Sequence, residues 1–121
     1  MKHELKMGDD GILRITFIGD LGDDELEPYL AAFQPYLEAA TNESPLRILA
    51  DSTRAGKVSS KARKALAGMQ KDLRVEKVAI IGANRYVRVL TGFIFKAVGR
   101  EEIIRFFELE DEALAWLQAN S

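Results

Sequence analysis

The chain has 121 residues, of which 47% are hydrophobic and 30% charged, with no cysteine and a formal net charge of −2. This length suits one domain with one core, so we expect a single domain over residues 1–121, and no apolar run is long enough to cross a bilayer. The lack of cysteine excludes disulfides, thiolate catalysis and cysteine-ligated metal sites, and cytoplasmic residence is the default expectation.

The N-terminal third predicts a hairpin followed by a helix. Residues 5–7 and 12–18 alternate apolar with polar around residues 8–11, whose Asp-Gly step favours a tight reversal. This alternation is unlike a secretory signal, and we expect none. Acidic residues at 23–25 begin a helix predicted over about 23–42, in which Pro35 should cause a kink or a division.

The remaining elements alternate between strand and helix. Residues 46–50 predict a strand that ends at Asp51, and residues 77–81 predict a strand covered on both faces. A second helix begins at Ser59 or Ser60, and a third, over 85–98, is capped by Asn84. The second helix has an apolar stripe of Ala62, Ala65, Leu66, Met69 and Leu73. A strand at 103–107 and a helix at 111–119 close the chain. The order ββαβαβα predicts an α/β fold with a central mixed sheet, in which the hairpin precedes parallel strands joined by right-handed crossovers.

This order resembles the SpoIIAA-like family, which is related to the STAS domain. The resemblance is carried by residues 46–51 (LRILAD), 77–82 (KVAIIG), 104–107 (IRFF) and 110–117 (EDEALAWL). It implies the STAS-like fold and a kinship with lipid-binding CRAL-TRIO-type domains, in a family of mostly uncharacterised bacterial proteins. STAS members that antagonise anti-sigma factors are switched by phosphorylation of a serine in an Asp-Ser-Ser-Gly type motif. Here residues 51–54 read Asp-Ser-Thr-Arg, and Ser59 and Ser60 follow Lys57-Val58.

Charge is segregated along the chain. Residues 54–100 carry twelve Lys or Arg and two acids, a balance of +10, whereas residues 1–53 carry −7 and residues 101–121 carry −5. Such asymmetry indicates an anionic ligand, an anionic surface, or an acidic patch on another protein or a second copy. Nucleic acid fits less well, because the whole chain is acidic and has no recognisable nucleic-acid-reading motif.

The third helix is more widely apolar than a core requires. At 100° per residue its apolar side chains cover about half the circumference, and Phe95 is isolated on the far side beside Arg88. The surplus could line a pocket, form a dimer contact or touch lipid; the alternative is that neighbouring elements cover it. The second helix has a basic face that could border this surplus, and its residues are chiefly Lys57, Lys61, Arg63, Lys64 and Lys71. The candidate ligand-binding residues are Lys57, Ser60, Lys64, Arg85, Tyr86, Arg88, Val89, Phe93 and Phe95.

Catalysis has little support in the sequence. His3 is the only histidine and is expected at a solvated terminus, and a Ser59 or Ser60 nucleophile has no evident base. Asp20 and Asp51, with Asp23 or Asp24, could form a carboxylate site at the sheet edge, but turn formation and capping are the favoured interpretation. We expect no catalytic residue, no metal and no cofactor.

Two hypotheses follow for function. The first is a non-enzymatic module that binds an anionic apolar ligand, such as a lipid or fatty acid, or makes peripheral contact with an anionic membrane. The second is a protein-interaction module of the anti-anti-sigma type, regulated by phosphorylation of Ser59 or Ser60 at a helix N-terminus. A homodimer is expected in either case.

Overall fold

The computed structural model describes residues 1–119, which form a five-stranded sheet with its strands in chain order. The first two strands are antiparallel and every later pair is parallel, as predicted. The strands are β1 (Glu4–Met7), β2 (Ile12–Leu21), β3 (Leu46–Val58), β4 (Val75–Ile81) and β5 (Ile104–Phe107).

Four helices flank this sheet, and the predicted order is confirmed. They are α1 (Asp23–Ala39), α2 (Ser60–Met69), α3 (Arg85–Ala97) and α4 (Glu110–Gln118), with a short 3-10 helix at Glu101–Ile103. Because the strand order advances in one direction, right-handed crossovers place α1, α2 and α3 on one face. Leu13 and Ile15 of β2 point into the core on that face, whereas Ile12 packs with Ala113 and Leu117 of α4 on the other.

The N-terminal elements follow the sequence pattern with two corrections. Gly11 has a φ of +79°, as the Asp-Gly reversal requires. Helix α1 passes through both Pro28 and Pro35 without division and ends at Ala39 rather than near residue 42. His3 is buried, with 3% of its surface exposed, instead of lying at a solvated terminus. Its Nδ1 accepts a hydrogen bond from the Ile18 N–H at 3.0 Å, a partner distant in sequence.

Two boundaries were wrong in the middle of the chain. Strand β3 does not end at Asp51 but continues to Val58, paired with the second half of β2, whereas β4 pairs with β3 only as far as Asp51. Helix α2 ends at Met69, so Leu73 lies in the following turn and is 79% exposed rather than part of a core stripe. The extension of β2 and β3 beyond β4 is called the β2–β3 ribbon below, and comprises residues 17–21 and 52–58.

Candidate ligand-binding site

An apolar cavity lies between the sheet and the helices of its three-helix face. Its floor is the sheet, one wall is the β2–β3 ribbon, and α1, α2 and α3 complete the enclosure. The side chains that surround it are almost all apolar, and the contributors from α2 and α3 are Leu66, Met69, Gln70, Val87, Leu90, Thr91, Ile94 and Phe95. The predicted site residue Phe95 is therefore a lining residue.

The volume of the cavity, about 110 Å³, is compatible with a small ligand. A single buried water needs roughly 10–15 Å³ on this scale, and an engineered cavity of about 150 Å³ binds benzene. The space therefore suits an apolar group of about six carbon atoms. A long acyl chain would require the helices to separate from the ribbon.

Small residues make room for the cavity along the ribbon. Gly19 of β2 pairs with Ala55 of β3, and Gly56 and Leu21 also line this wall. A Cβ on Gly56 would approach the Gly19 carbonyl carbon to 2.8 Å, so only glycine allows the two strands to run this close. Two register shifts between these strands interrupt the alternation of inward and outward residues.

A few polar side chains interrupt this apolar wall. Tyr29 of α1 is buried, and burial raises the pKa of its phenol above the ordinary value, so the group stays protonated. Ser52 is 4% exposed, and the side-chain oxygen of Gln70 is buried without a hydrogen-bond partner among residues 1–119. These are uncharged groups, so the interior of the cavity favours a neutral part of a ligand.

Cations gather beside the cavity where β3 leads into α2. The Tyr86 hydroxyl accepts hydrogen bonds from the Val58 N–H and from Arg63 Nη2, each at 3.1 Å, and Arg63 Nε donates to the Val58 carbonyl. The Val58 N–H is the largest cause of a lowered pKa at Tyr86, with Arg63 and Lys57 contributing in the same direction. We call Lys57, Arg63 and Tyr86 the cationic junction. Because Val58 also lines the cavity, this junction borders the apolar space.

The two candidate serines differ in role. Ser59 is the N-cap of α2, and its hydroxyl accepts the Ala62 N–H at 3.1 Å. Ser60 is the first residue of the helix and is exposed. Lys61 and Lys64 are also exposed on this helix, and neither forms an ion pair within the described residues.

Helix α3 presents a different face from the predicted one. Phe95 is 3% exposed and packs in the core, so it is not the outward residue that the helical wheel indicated. Val89 and Phe93 are instead 65% and 71% exposed. The helix packs on the sheet through Val87, Ile94 and Phe95, which leaves Val89 and Phe93 on the outer side.

The predicted residues therefore divide into groups. Tyr86 lies at the cationic junction with Lys57, and Phe95 lines the cavity. Arg85 and Lys96 are exposed near Val89 and Phe93 on α3, and we call these four residues the α3 outer face. Arg88 donates to the Ala83 carbonyl at 3.2 Å, and its guanidinium lies 5.0 Å from the centre of the Phe106 ring, so it is held against β5.

Sequence reasoning gave too little weight to Arg63 and missed the ribbon and Tyr29. Arg63 was counted only as one cation of a basic face, although its contact with Tyr86 joins α2 to α3. The sequence carried a weak signal for the ribbon, since Ala55-Gly56 is a pair of small residues before Val58. Tyr29 gave none, because a tyrosine at helical spacing predicts a core position and says nothing of a cavity.

The candidate carboxylates accept hydrogen bonds from backbone N–H groups. Asp20 Oδ1 accepts the Lys57 N–H at 2.7 Å, and Asp51 Oδ1 accepts the Thr53 N–H at 3.0 Å. Among residues 1–119 no group of acidic or histidine side chains is arranged to hold a metal ion. In the same part of the chain, no helix has both the length and the apolar character needed to span a bilayer.

A family model described as SpoIIAA-like matches residues 12–118. The chain belongs to the SpoIIAA-like family. No curated protein sequence matches it significantly.

Solved structures agree with this family assignment. One is an uncharacterised protein of the DUF3478 family with a SpoIIAA-like fold from Shewanella loihica PV-4. It has a TM-score of 0.70 and 23% identity, over 95% of this chain and 91% of that one. The anti-sigma factor antagonist SpoIIAA in its unphosphorylated form has a TM-score of 0.68 and 14% identity, over 97% and 98% of the two chains. At these identities the likeness establishes the SpoIIAA-like fold.

Proposed function

We propose that this SpoIIAA-like domain is a non-enzymatic module that binds a small anionic amphiphile. The observation that carries the proposal is the apolar cavity of about 110 Å³ with a cationic junction at its border. The apolar part of the ligand enters the cavity, and a carboxylate or phosphate lies at Arg63, Lys57 and Tyr86. Charge-assisted hydrogen bonds from Arg63 and the Tyr86 hydroxyl would then orient the ligand.

The test compares an anion with a neutral molecule of the same length. Calorimetric titration with hexanoate and with hexan-1-ol should show tighter binding of hexanoate to the wild type. Lys57→Gln and Arg63→Gln should each weaken hexanoate binding about fivefold to tenfold, in keeping with about 1–1.5 kcal/mol per polar contact, and leave hexan-1-ol unchanged.

Two further variants separate the cavity from the charge. Ala55→Leu fills the cavity and should abolish binding of both probes, whereas Ala97→Leu adds the same side chain at an exposed position of α3 and should change neither. Hexanoate binding that is unaffected by Ala55→Leu would overturn the cavity as the site. If the expected pattern is found, native mass spectrometry on protein purified from its own cells would identify the natural ligand.

An anionic membrane surface offers the same head-group chemistry, and the α3 outer face favours it. Val89 and Phe93 are exposed apolar side chains on one helix face with Arg85 and Lys96. Lys61 and Lys64 lie on the neighbouring helix. Clustered cations around apolar side chains are attracted to anionic lipid. Contact of this kind is peripheral, and the predicted homodimer remains the competing use of the same face.

Partner switching is the second candidate function, and the position of Ser60 supports it. The hydroxyl is exposed at the start of a helix, with Lys57 and Arg63 nearby, where a phosphate would be electrostatically favoured. SpoIIAA itself, whose fold this chain shares, is an anti-sigma factor antagonist. Fragment mass spectrometry on protein from its own cells should then find one phosphate on Ser60 or Ser59. Unmodified serines under all growth conditions would argue against this function.

A further inference from the structure

Gln70 lines the cavity and has an unpaired amide oxygen. The residue follows the last turn of α2, where its backbone N–H donates to the carbonyls of Leu66 and Ala67. Its backbone carbonyl accepts a hydrogen bond from Arg100 Nη1 at 3.0 Å. The backbone of Gln70 is therefore held on both sides. Its side-chain Oε1, in contrast, is buried with no hydrogen-bond partner among residues 1–119.

A buried acceptor of this kind favours a specific partner. A carbonyl oxygen kept from water and left without a donor is destabilising, and a donor that reaches it recovers that loss. The last side-chain torsion of a glutamine is soft, so the amide can turn toward a group that enters the cavity. The Arg100 guanidinium lies against the carbonyl of the same residue, so a cationic donor such as an ammonium group would be repelled. The donor that fits is uncharged.

The position of Gln70 along α2 indicates where on the ligand this donor lies. Leu66, Met69 and Gln70 share one face of the helix, and all three line the cavity. Gln70 follows Arg63 of the cationic junction by seven residues, which corresponds to about 10 Å along the helix axis. A ligand whose anionic group lies at the junction therefore approaches Gln70 with the far end of its apolar part.

We infer that the ligand carries a hydroxyl group at the end of its apolar part away from the anionic group, and that this hydroxyl donates to Gln70 Oε1. The inference rests on the proposed function, because it assigns a chemical class to the ligand of the same cavity. A hydroxyl is small and uncharged, so it brings little polar surface into an apolar space. The ligand is then a short anion with a terminal hydroxyl, held at both ends.

Calorimetric titration with three sets of acids tests this inference. The first set is hexanoate, heptanoate and octanoate, and the second is the same acids with a terminal hydroxyl, so that the hydroxyl is placed at three distances from the carboxylate. The third set is the methyl ethers of those hydroxy acids, which accept a hydrogen bond but cannot donate one. At least one hydroxy acid should bind the wild type about tenfold more tightly than it binds Gln70→Met. The parent acids and the methyl ethers should show no such loss.

Gln34→Met is the matched control, because Gln34 is exposed on α1, bonds to Glu38 of the same helix and lies outside the cavity lining. It should leave the affinity for every acid unchanged. Methionine is unbranched like glutamine and has a similar helix propensity, and Gln70→Met removes a buried unpaired oxygen. Thermal unfolding should therefore show that the Gln70→Met variant is folded and at least as stable as the wild type.

The outcomes separate the inference from the proposed function. If the parent acids bind and no hydroxy acid distinguishes wild type from Gln70→Met, the terminal hydroxyl is overturned while the cavity site stands. If the methyl ethers lose as much affinity as the hydroxy acids, the ligand does not donate to Gln70 and the inference fails. It also fails if Gln34→Met has the same effect as Gln70→Met. If none of the acids binds, the proposed function and the inference fall together.

Discussion

The individual Lys and Arg side chains of residues 54–100 have different roles. Arg100 donates to the carbonyls of Gln70, Asp72 and Val75 at 2.8–3.0 Å and so holds the turn between α2 and β4. Lys77 is 7% exposed and donates to the carbonyls of Trp116 and Ala119 at the end of α4. The balance of +10 therefore overstates the charge that is free to attract a partner.

Arg100→Ala should be strongly destabilising for this reason. Three carbonyls would lose a charged donor at once, and we expect the free energy of unfolding to fall by about 2–4 kcal/mol in urea titration. Arg85→Ala removes the same type of side chain from an exposed position and should change stability by less than about 0.5 kcal/mol. Equal effects of the two substitutions would contradict a structural role for Arg100.

Asp72, in the same turn, makes stability depend on acid. Hydrogen bonds from the Arg74 side chain and backbone N–H lower its pKa from 3.8 to about 2. The folded state therefore binds a proton at Asp72 less readily than the unfolded state. Its contribution to stability is present above pH 3.8 and is lost as the pH falls to about 2. Thermal unfolding of Asp72→Asn across this range should show a shallower decline than the wild type. The pair is partly solvated, which keeps the effect modest, and an unchanged decline would contradict it.

At the scale of elements, the start of α2 gives a matched pair of serines. Ser59 caps the helix through its hydroxyl, whereas Ser60 is exposed at the next position. Ser59→Ala should lower the free energy of unfolding by about 1 kcal/mol, and Ser60→Ala should have little effect. Chemical denaturation of both variants checks this. A larger loss of stability for Ser60→Ala than for Ser59→Ala would contradict the assignment of Ser59 as the cap.

Elements were predictable where local pattern and packing agree. The strands at Ile48 and Ile80 and the caps at Ser59 and Asn84 follow from apolar runs and capping chemistry, and the structure has them. The β2–β3 ribbon was not predicted because its inward residues border a cavity, and small residues such as Ala55 leave no apolar periodicity to read. A cavity has no sequence signature of its own.

Helix α3 shows the limit of periodicity in another way. Its apolar residues cover so much of the circumference that the wheel could not decide which side faces the sheet, and Phe95 was assigned to the wrong side. The choice depends on how the crossover from β4 to β5 seats the helix, which is a property of the whole sheet. The buried position of His3 has the same origin, since its partner Ile18 lies 15 residues away.

Charge is unevenly distributed over the whole molecule. Helices α2 and α3 belong to the basic residues 54–100, whereas α1, on the same face of the sheet, begins with Asp23, Asp24 and Glu25, and α4, on the other face, begins with Glu110, Asp111 and Glu112. An anionic surface therefore attracts the side formed by α2 and α3 and repels α1 and α4, which would bring Val89 and Phe93 toward lipid. Pairing of two α3 outer faces would instead oppose like charges at Arg85 and Lys96, so the charge pattern favours a membrane over a symmetric dimer there.

Vesicle sedimentation tests this orientation. The protein should bind vesicles of phosphatidylcholine with phosphatidylserine and not phosphatidylcholine alone, and each of Lys64→Gln and Lys96→Gln should weaken binding about fivefold, as expected for about 1 kcal/mol per cation. A Val89→Ser/Phe93→Ser variant should lose binding, whereas Leu109→Ser, at a residue 61% exposed in the turn before α4, should not. If the α3 variant instead converts a dimer to a monomer in analytical ultracentrifugation and the wild type ignores anionic vesicles, the α3 outer face is a contact between two copies. The basic charge of α2 and α3 would then act on a ligand at the cationic junction alone.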